Sequence, residues 1–287
     1  MNSETLLPYD LANPQVKAFS TTRISPFSCS ATELRDMGAY AAFNVTDYCH
    51  DKPSRVQRNR EWLAQTLGID NVRLVMPHQT HSDRVMEVDD SLLALSTADR
   101  AQALEGVDAL ITRQQGVCIG VSTADCVPIL LYDPAQEACA AIHAGWRGTV
   151  SHIAPKAIRL MQATYGTRPS DLRAIIGPSI SLQAFEVGDE VVEAFAQAGF
   201  DISRICRKMP PMHPDDINSC TRQALRPHID LWAANAMLME EQGISLEHIQ
   251  VCGICTYQSH DTFFSARRLG IRSGRIFTGI MMERQTS

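Results

Sequence analysis

No apolar run in this chain approaches the roughly 18 consecutive residues that would span a bilayer. Its opening, MNSETLLPYDLANPQ, lacks both the basic stretch and the apolar core of a secretory leader. Both absences predict a cytoplasmic protein with no membrane association. Positive charge is also short: 26 Lys and Arg against 32 Asp and Glu leave a net charge of -6. No global basic field draws in a nucleic-acid backbone, so nucleic acid is set aside as a partner. The phosphate loop GxxxxGKS, the dinucleotide fingerprint GxGxxG and HxH histidine clusters are all missing. Cysteine is present nine times but scattered, unlike the dense even set of a small secreted scaffold, and reduced thiols are expected.

What is present is an ordinary globular composition over 287 residues, 45% apolar and 20% charged. That length can bury a substantial core as one large domain or two small ones. No linker or repeat interrupts it, and a single domain over 1–287 is expected. Residues 53–67 read as a helix, with Pro53 at its start, Val56, Leu63 and Leu67 on one face and Gly68 as the stop. LVMP (74–77) and RVMEV (84–88) read as a strand pair around the polar HQTHSD. VDALIT, GVCIGVS, VPILLY and ACAAIHA follow as strands, the last three nearly unbroken in hydrophobicity, as for strands buried on both faces. Helical spacing then runs from Val150 to Tyr165, with Pro155 in its first turn or at a kink. LRAIIG is a strand, 189–198 and 230–242 are helices, and IQVCGI and GRIFTGIMM are late strands. MPPMHPDD (209–216) is a proline-rich loop. The whole predicts a mixed α/β (α+β) fold, a mixed β-sheet core flanked by helices.

The stretch ADCVPILLYDPAQEACAAIHAGWRG (124–148) is punctuated at both ends by chemistry that a core does not need. Together with QTH (79–81) it offers His81, Cys126 and His143, each where a strand begins or ends. Two imidazoles and a thiolate suit zinc, with a fourth position left open for water. The gaps of 45 and 17 residues match no compact zinc-finger spacing, so the residues alone leave other readings open. Cys126 can be a small core hydrophobe and His143 a hydrogen-bonded core histidine. Cys126 can also be a nucleophile with His143 or His81 as its base. Cys252-Gly-Ile-Cys255 has CxxC spacing but no second pair to complete a four-ligand site, and reads as strand cysteines.

The chain resembles the YfiH family, also described as laccase-domain or multicopper polyphenol oxidase-like proteins. The resemblance runs through FSTTR (19–23), AAFNV (41–45), HQTHSDRV (78–85), VDALIT (107–112), STADCVPILLYDP (122–134), AAIHAGWRGT (140–149) and FFSARR (263–268). It implies zinc held by His81, Cys126 and His143, with Cu2+ able to occupy the same ligands. It also implies a purine nucleoside enzyme. The reactions are phosphorolysis of adenosine, inosine or methylthioadenosine to free base and ribose 1-phosphate, and deamination of adenosine to inosine. The partners are then purine nucleosides and phosphate. Under that resemblance Asp125 is the acid candidate for the leaving ammonia and Arg147 and Arg23 are candidates for phosphate or ribose. Asn44 and Gln79 are candidates for reading ribose or base edges. Two departures stand out: Ser82 replaces the usual glycine after His81, and SPFSCSA follows Arg23 in place of a glycine-rich stretch. Two rival activities remain, a copper-dependent polyphenol oxidase and a Cys-His hydrolase editing peptidoglycan precursors.

Overall fold

Alternation of side chains across buried strands organises the chain, and the computed structural model describes residues 4–210 and 225–284 of it. The strands are β1 (Leu6–Tyr9), β2 (Val16–Thr21), β3 (Leu74–Val75), β4 (Val85–Glu87), β5 (Ala109–Thr112), β6 (Cys118–Thr123) and β7 (Val127–Asp133). They continue with β8 (Ala138–Ala144), β9 (Arg173–Ile176), β10 (Cys206–Met209), β11 (Arg226–Ile229), β12 (Ile249–Val251) and β13 (Ile276–Met282). A five-stranded sheet runs β1-β2-β13-β6-β3 and a six-stranded sheet runs β12-β9-β7-β8-β5-β4. β10 and β11 form a separate antiparallel pair. Both large sheets are mixed, with β3–β6, β4–β5 and β9–β12 parallel among antiparallel neighbours.

The two sheets face one another. On β7, Val127, Ile129 and Leu131 turn to one side, and Leu130 and Tyr132 turn to the other, as a period of two requires. The second set packs against Ile119, Val121 and Ile280 of the five-stranded sheet. The first set packs beneath helices Ile153–Tyr165 and Leu231–Glu241 through Ala157, Ile158, Met161, Ala234 and Leu238. Helix Pro53–Leu67 covers the outer face of the five-stranded sheet, placing Leu63 and Leu67 against Phe19 and Phe277. Four layers result, helix, sheet, sheet, helix, which explains why β6, β7 and β8 are buried at every position. Each fully buried Ile or Leu contributes roughly 1.5–3 kcal/mol relative to exposure.

Most expected elements fall where the pattern put them. The helix expected at 53–67 is Pro53–Leu67, and Gly68 ends it in the left-handed region at φ 71°. Pro155 sits in the first turn of Ile153–Tyr165, where no intrahelical N–H is required of it. A separate short helix, Trp146–Val150, precedes that one, and His152 at φ 58° marks the break. One expectation is overturned. LVMP and RVMEV do not pair: β3 lies in the five-stranded sheet beside β6, and β4 lies in the six-stranded sheet beside β5. HQTHSD is therefore a strap from one sheet to the other instead of a hairpin turn. Of the MPPMHPDD loop, residues 211–216 lie outside the described residues, as does Cys220. Among the described residues no helix is long and apolar enough to cross a membrane.

Candidate metal centre

The β7–β8 hairpin delivers two of the three ligand candidates to neighbouring positions. Val127 pairs with Ala144 and Pro128 with His143, so Cys126, one residue before β7, lies at the same sheet end as His143. His143 shares the strand face of Cys139 and Ala141, which points between the sheets. The inter-sheet strap brings His81 to the same spot. The donor atoms of His81, Cys126 and His143 all lie within 4.8 Å of one another. Cys126 Sγ is 3.7 Å from His81 Nε2, and the two imidazole rings meet edge to face at 4.9 Å. His143 is buried, Cys126 half-buried and His81 exposed, so the trio opens to solvent on one side.

Two backbone features make this approach possible. His81 itself adopts φ 62°, an uncommon conformation for a residue with a Cβ, whereas Ser82 beside it is not in the left-handed region. The serine at 82 therefore needs no glycine-like freedom, and its hydroxyl donates to Gly106 O at 2.7 Å. Gly145 has an ordinary φ of -64°, so it is needed for space. A Cβ there would stand 3.0 Å from Cys126 Sγ and 3.1 Å from His81 Cδ2.

The trio is supported by Asp108, a residue sequence reasoning passed over inside VDALIT. Its side chain is fully buried just before β5. His143 Nδ1 donates to Asp108 Oδ1 at 2.6 Å, which leaves Nε2 as the ring nitrogen turned toward Cys126. The same carboxylate accepts from the backbone N–H groups of Thr80, His81 and Ser82 at 3.1, 3.1 and 2.9 Å. Burial works against its charge, but these bonds and the nearby His143 hold its carboxyl below the usual range. The signal available in the sequence was a lone carboxylate opening an apolar strand.

Charge is distributed accordingly. Burial opposes a thiolate at Cys126, yet the facing His143, aided by His81, pulls its pKa down to about 6. Burial likewise opposes an imidazolium at His143, and Cys126 and Asp108 together raise it to about 9. Each of the two therefore favours the charged form of the other, and a bound cation would displace the proton they share.

The other candidates fall in three different situations. Arg147 is exposed on Trp146–Val150, its guanidinium 4.3 Å over the Trp146 ring, and no hydrogen bond or ion pair occupies it among the described residues. Asp125, at φ 89°, accepts at one carboxylate oxygen from Thr256 Oγ1 at 2.6 Å and at the other from Arg267 N at 2.7 Å. It fastens the corner before Cys126 to the segment 256–267.

The three candidates for reading substrate also make hydrogen bonds within the protein, Asn44 and Gln79 from buried positions and Arg23 from the edge of a hollow. Asn44 is fully buried: its Nδ2 donates to Thr46 O and Asp51 Oδ2, and its Oδ1 accepts from Thr46 N and Arg275 N. Gln79 is buried and clamps the backbone of Ser122, accepting from its N at 2.7 Å and donating to its O at 2.8 Å. Arg23 donates to the carbonyls of Ala41 and His260 and lies over the Phe264 ring. It borders a hollow of about 460 Å³ formed with Ser25, Phe27 and Cys29 of the departing loop. Cys252 and Cys255 are both free thiols.

The chain belongs to the family described as multi-copper polyphenol oxidoreductase laccase, whose model matches residues 18–283. A purine nucleoside phosphorylase of Bacteroides thetaiotaomicron is 46% identical over 265 residues, covering 92% of this chain and 94% of its own length. Adenosine deaminase RL5, from an unknown prokaryotic organism, is 46% identical over 265 residues, covering 92% and 93%. Among solved structures, the hypothetical protein YfiH of Bacillus licheniformis superposes with a TM-score of 0.82 at 26% identity, covering 98% of both chains.

Proposed function

We propose that this chain is a zinc-dependent purine nucleoside enzyme that cleaves nucleosides with phosphate and deaminates adenosine. The observation that carries the reading is the convergence of His81, Cys126 and His143, joined to relatives named for those two activities. The donor set fits a zinc ion: two neutral imidazole nitrogens and a thiolate, three protein ligands with one side open. Bound there, zinc supplies Lewis-acid activation of water toward C6 of a purine.

The chain's own residues do the remainder. Cys126, already inclined to the thiolate, needs no external base to become a ligand. His143 presents Nε2 because Asp108 occupies Nδ1. Arg147, stacked on Trp146 and otherwise unengaged among the described residues, supplies a planar guanidinium for phosphate or ribose oxygens. Asp125 holds the Cys126 corner in place, since both its oxygens already accept hydrogen bonds.

The test is product analysis on protein of measured metal content. Pure protein incubated with adenosine should yield inosine without phosphate, and adenine in addition when phosphate is present. Metal analysis should return close to one zinc per chain. Protein that is fully active after its metal has been stripped would overturn the reading. It would support instead a Cys-His hydrolase, the second reading favoured by the lowered Cys126 pKa.

A further inference from the structure

We infer that Asp108 is the positioning residue of the metal centre, the one group that sets both histidine ligands before any ion arrives. The inference rests on the reading of His81, Cys126 and His143 as metal ligands and goes beyond it by naming what holds them. The three candidate ligands come from three separate segments, and two of those segments meet at a single buried carboxylate. Asp108 Oδ1 accepts from His143 Nδ1 and His81 N, and Oδ2 accepts from Thr80 N and Ser82 N. The backbone joins the same arrangement, with His143 N donating to Asp108 O at 2.8 Å.

Each of those bonds has a distinct geometric task. The bond to Nδ1 fixes the ring plane and tautomer of His143, as outer carboxylates do for metal-bound histidines. The bonds to 80–82 hold three successive N–H groups around one anion, and this keeps His81 in its positive-φ conformation. An amide of the same shape cannot perform both tasks in full at once. Four donors converge on two oxygens, and an asparagine offers one oxygen and an NH2 group that cannot accept. In Asp108→Asn, either His143 and His81 keep the oxygen while the NH2 faces the N–H groups of Thr80 and Ser82, or the reverse. Burial excludes the water that would relieve the conflict.

The experiment compares wild type with Asp108→Asn and Asp108→Glu. Zinc affinity is measured by competition with a chromophoric chelator, the spectrum of the cobalt-substituted protein is recorded, and the melting temperature of each metal-free protein serves as control. Asp108→Asn should bind zinc about 10–100-fold more weakly, and its cobalt spectrum should shift because the histidines are no longer fixed. Asp108→Glu should restore part of the affinity. If affinity and cobalt spectrum are unchanged while only the melting temperature falls, Asp108 is a structural carboxylate and the inference is wrong. A measurement on wild type alone covers the case in which the variants do not fold. The amides of Thr80, His81 and Ser82 in the metal-free protein should be protected from hydrogen exchange, and exchange at open-loop rates would equally overturn the inference. Wild type that takes up neither zinc nor cobalt would refute the metal reading itself, with amide protection still deciding whether Asp108 holds the strap.

Discussion

The two ends of the β7–β8 hairpin use the same residue type to opposite effect. At the turn end, Asp133 Oδ1 accepts from Ala135 N and Gln136 N at 2.9 and 3.1 Å, closing a local loop that involves only its own neighbours. At the other end, Asp125 accepts from Thr256 and Arg267, and nearby Asp108 accepts from the 80–82 strap and from His143. A carboxylate that satisfies its own segment makes a turn. One that gathers donors from distant segments makes a site, because it fixes parts of the chain that have no other reason to meet.

The sharpest way to break that contrast is at the ligands. Cys126→Ala should abolish zinc binding and both activities while leaving the fold intact, since β7 and β8 are buried along their whole length. A variant retaining full zinc would remove Cys126 from the ligand set. Next in size is Gly145→Ala, whose methyl would meet Cys126 Sγ at 3.0 Å and His81 Cδ2 at 3.1 Å. It should weaken zinc binding at least about tenfold with little change in helix content, because the nearest atoms it would crowd are on the ligands themselves. Unaltered affinity by chelator competition would mean that the trio adjusts freely.

Smaller again is Arg147→Lys, which keeps the charge but loses the planar fork. Phosphorolysis should fall about tenfold while deamination, which uses no phosphate, is spared. Adenine release and inosine formation measured side by side decide this, and equal losses in both would take Arg147 out of the phosphate site. At the turn end, Asp133→Ala should cost about 1–2 kcal/mol through its lost hydrogen bonds. It should leave zinc affinity untouched, and a change there would erase the distinction between the two ends.

The sequence made the strands and the ligand trio legible for different reasons. Unbroken apolar runs announced β6, β7 and β8, because burial on both faces leaves no polar alternation. The trio was marked by reactive side chains at strand ends and by resemblance, since spacings of 45 and 17 residues define no site on their own. Periodicity tells a strand from a helix but is silent about which strand lies beside it. That is why β3 and β4 were expected to pair and instead belong to different sheets. For Asn44, Gln79 and Arg23 the sequence was silent about the partners each side chain has within the protein. A polar side chain satisfied inside the protein and one held ready for substrate look alike until its partners are known. Asp108 was overlooked for the converse reason, being embedded in a run whose evident purpose was the core.

The strap between the sheets has a thermodynamic consequence. His81 is carried by the connection that leaves one sheet at Val75 and enters the other at Val85, while His143 lies in the second sheet and Cys126 immediately precedes its strand β7. An ion gripping all three therefore acts as a rivet through the sandwich, resisting separation of its halves. Because unfolding dismantles the grip, ligation adds to the free energy of the native state, by about 2.7 kcal/mol at a free ion concentration one hundred times Kd. With a metal bound, the candidate centre and the seam between the layers would be fastened by the same bolt, and starvation for metal would then loosen the architecture as well as silence the proposed chemistry.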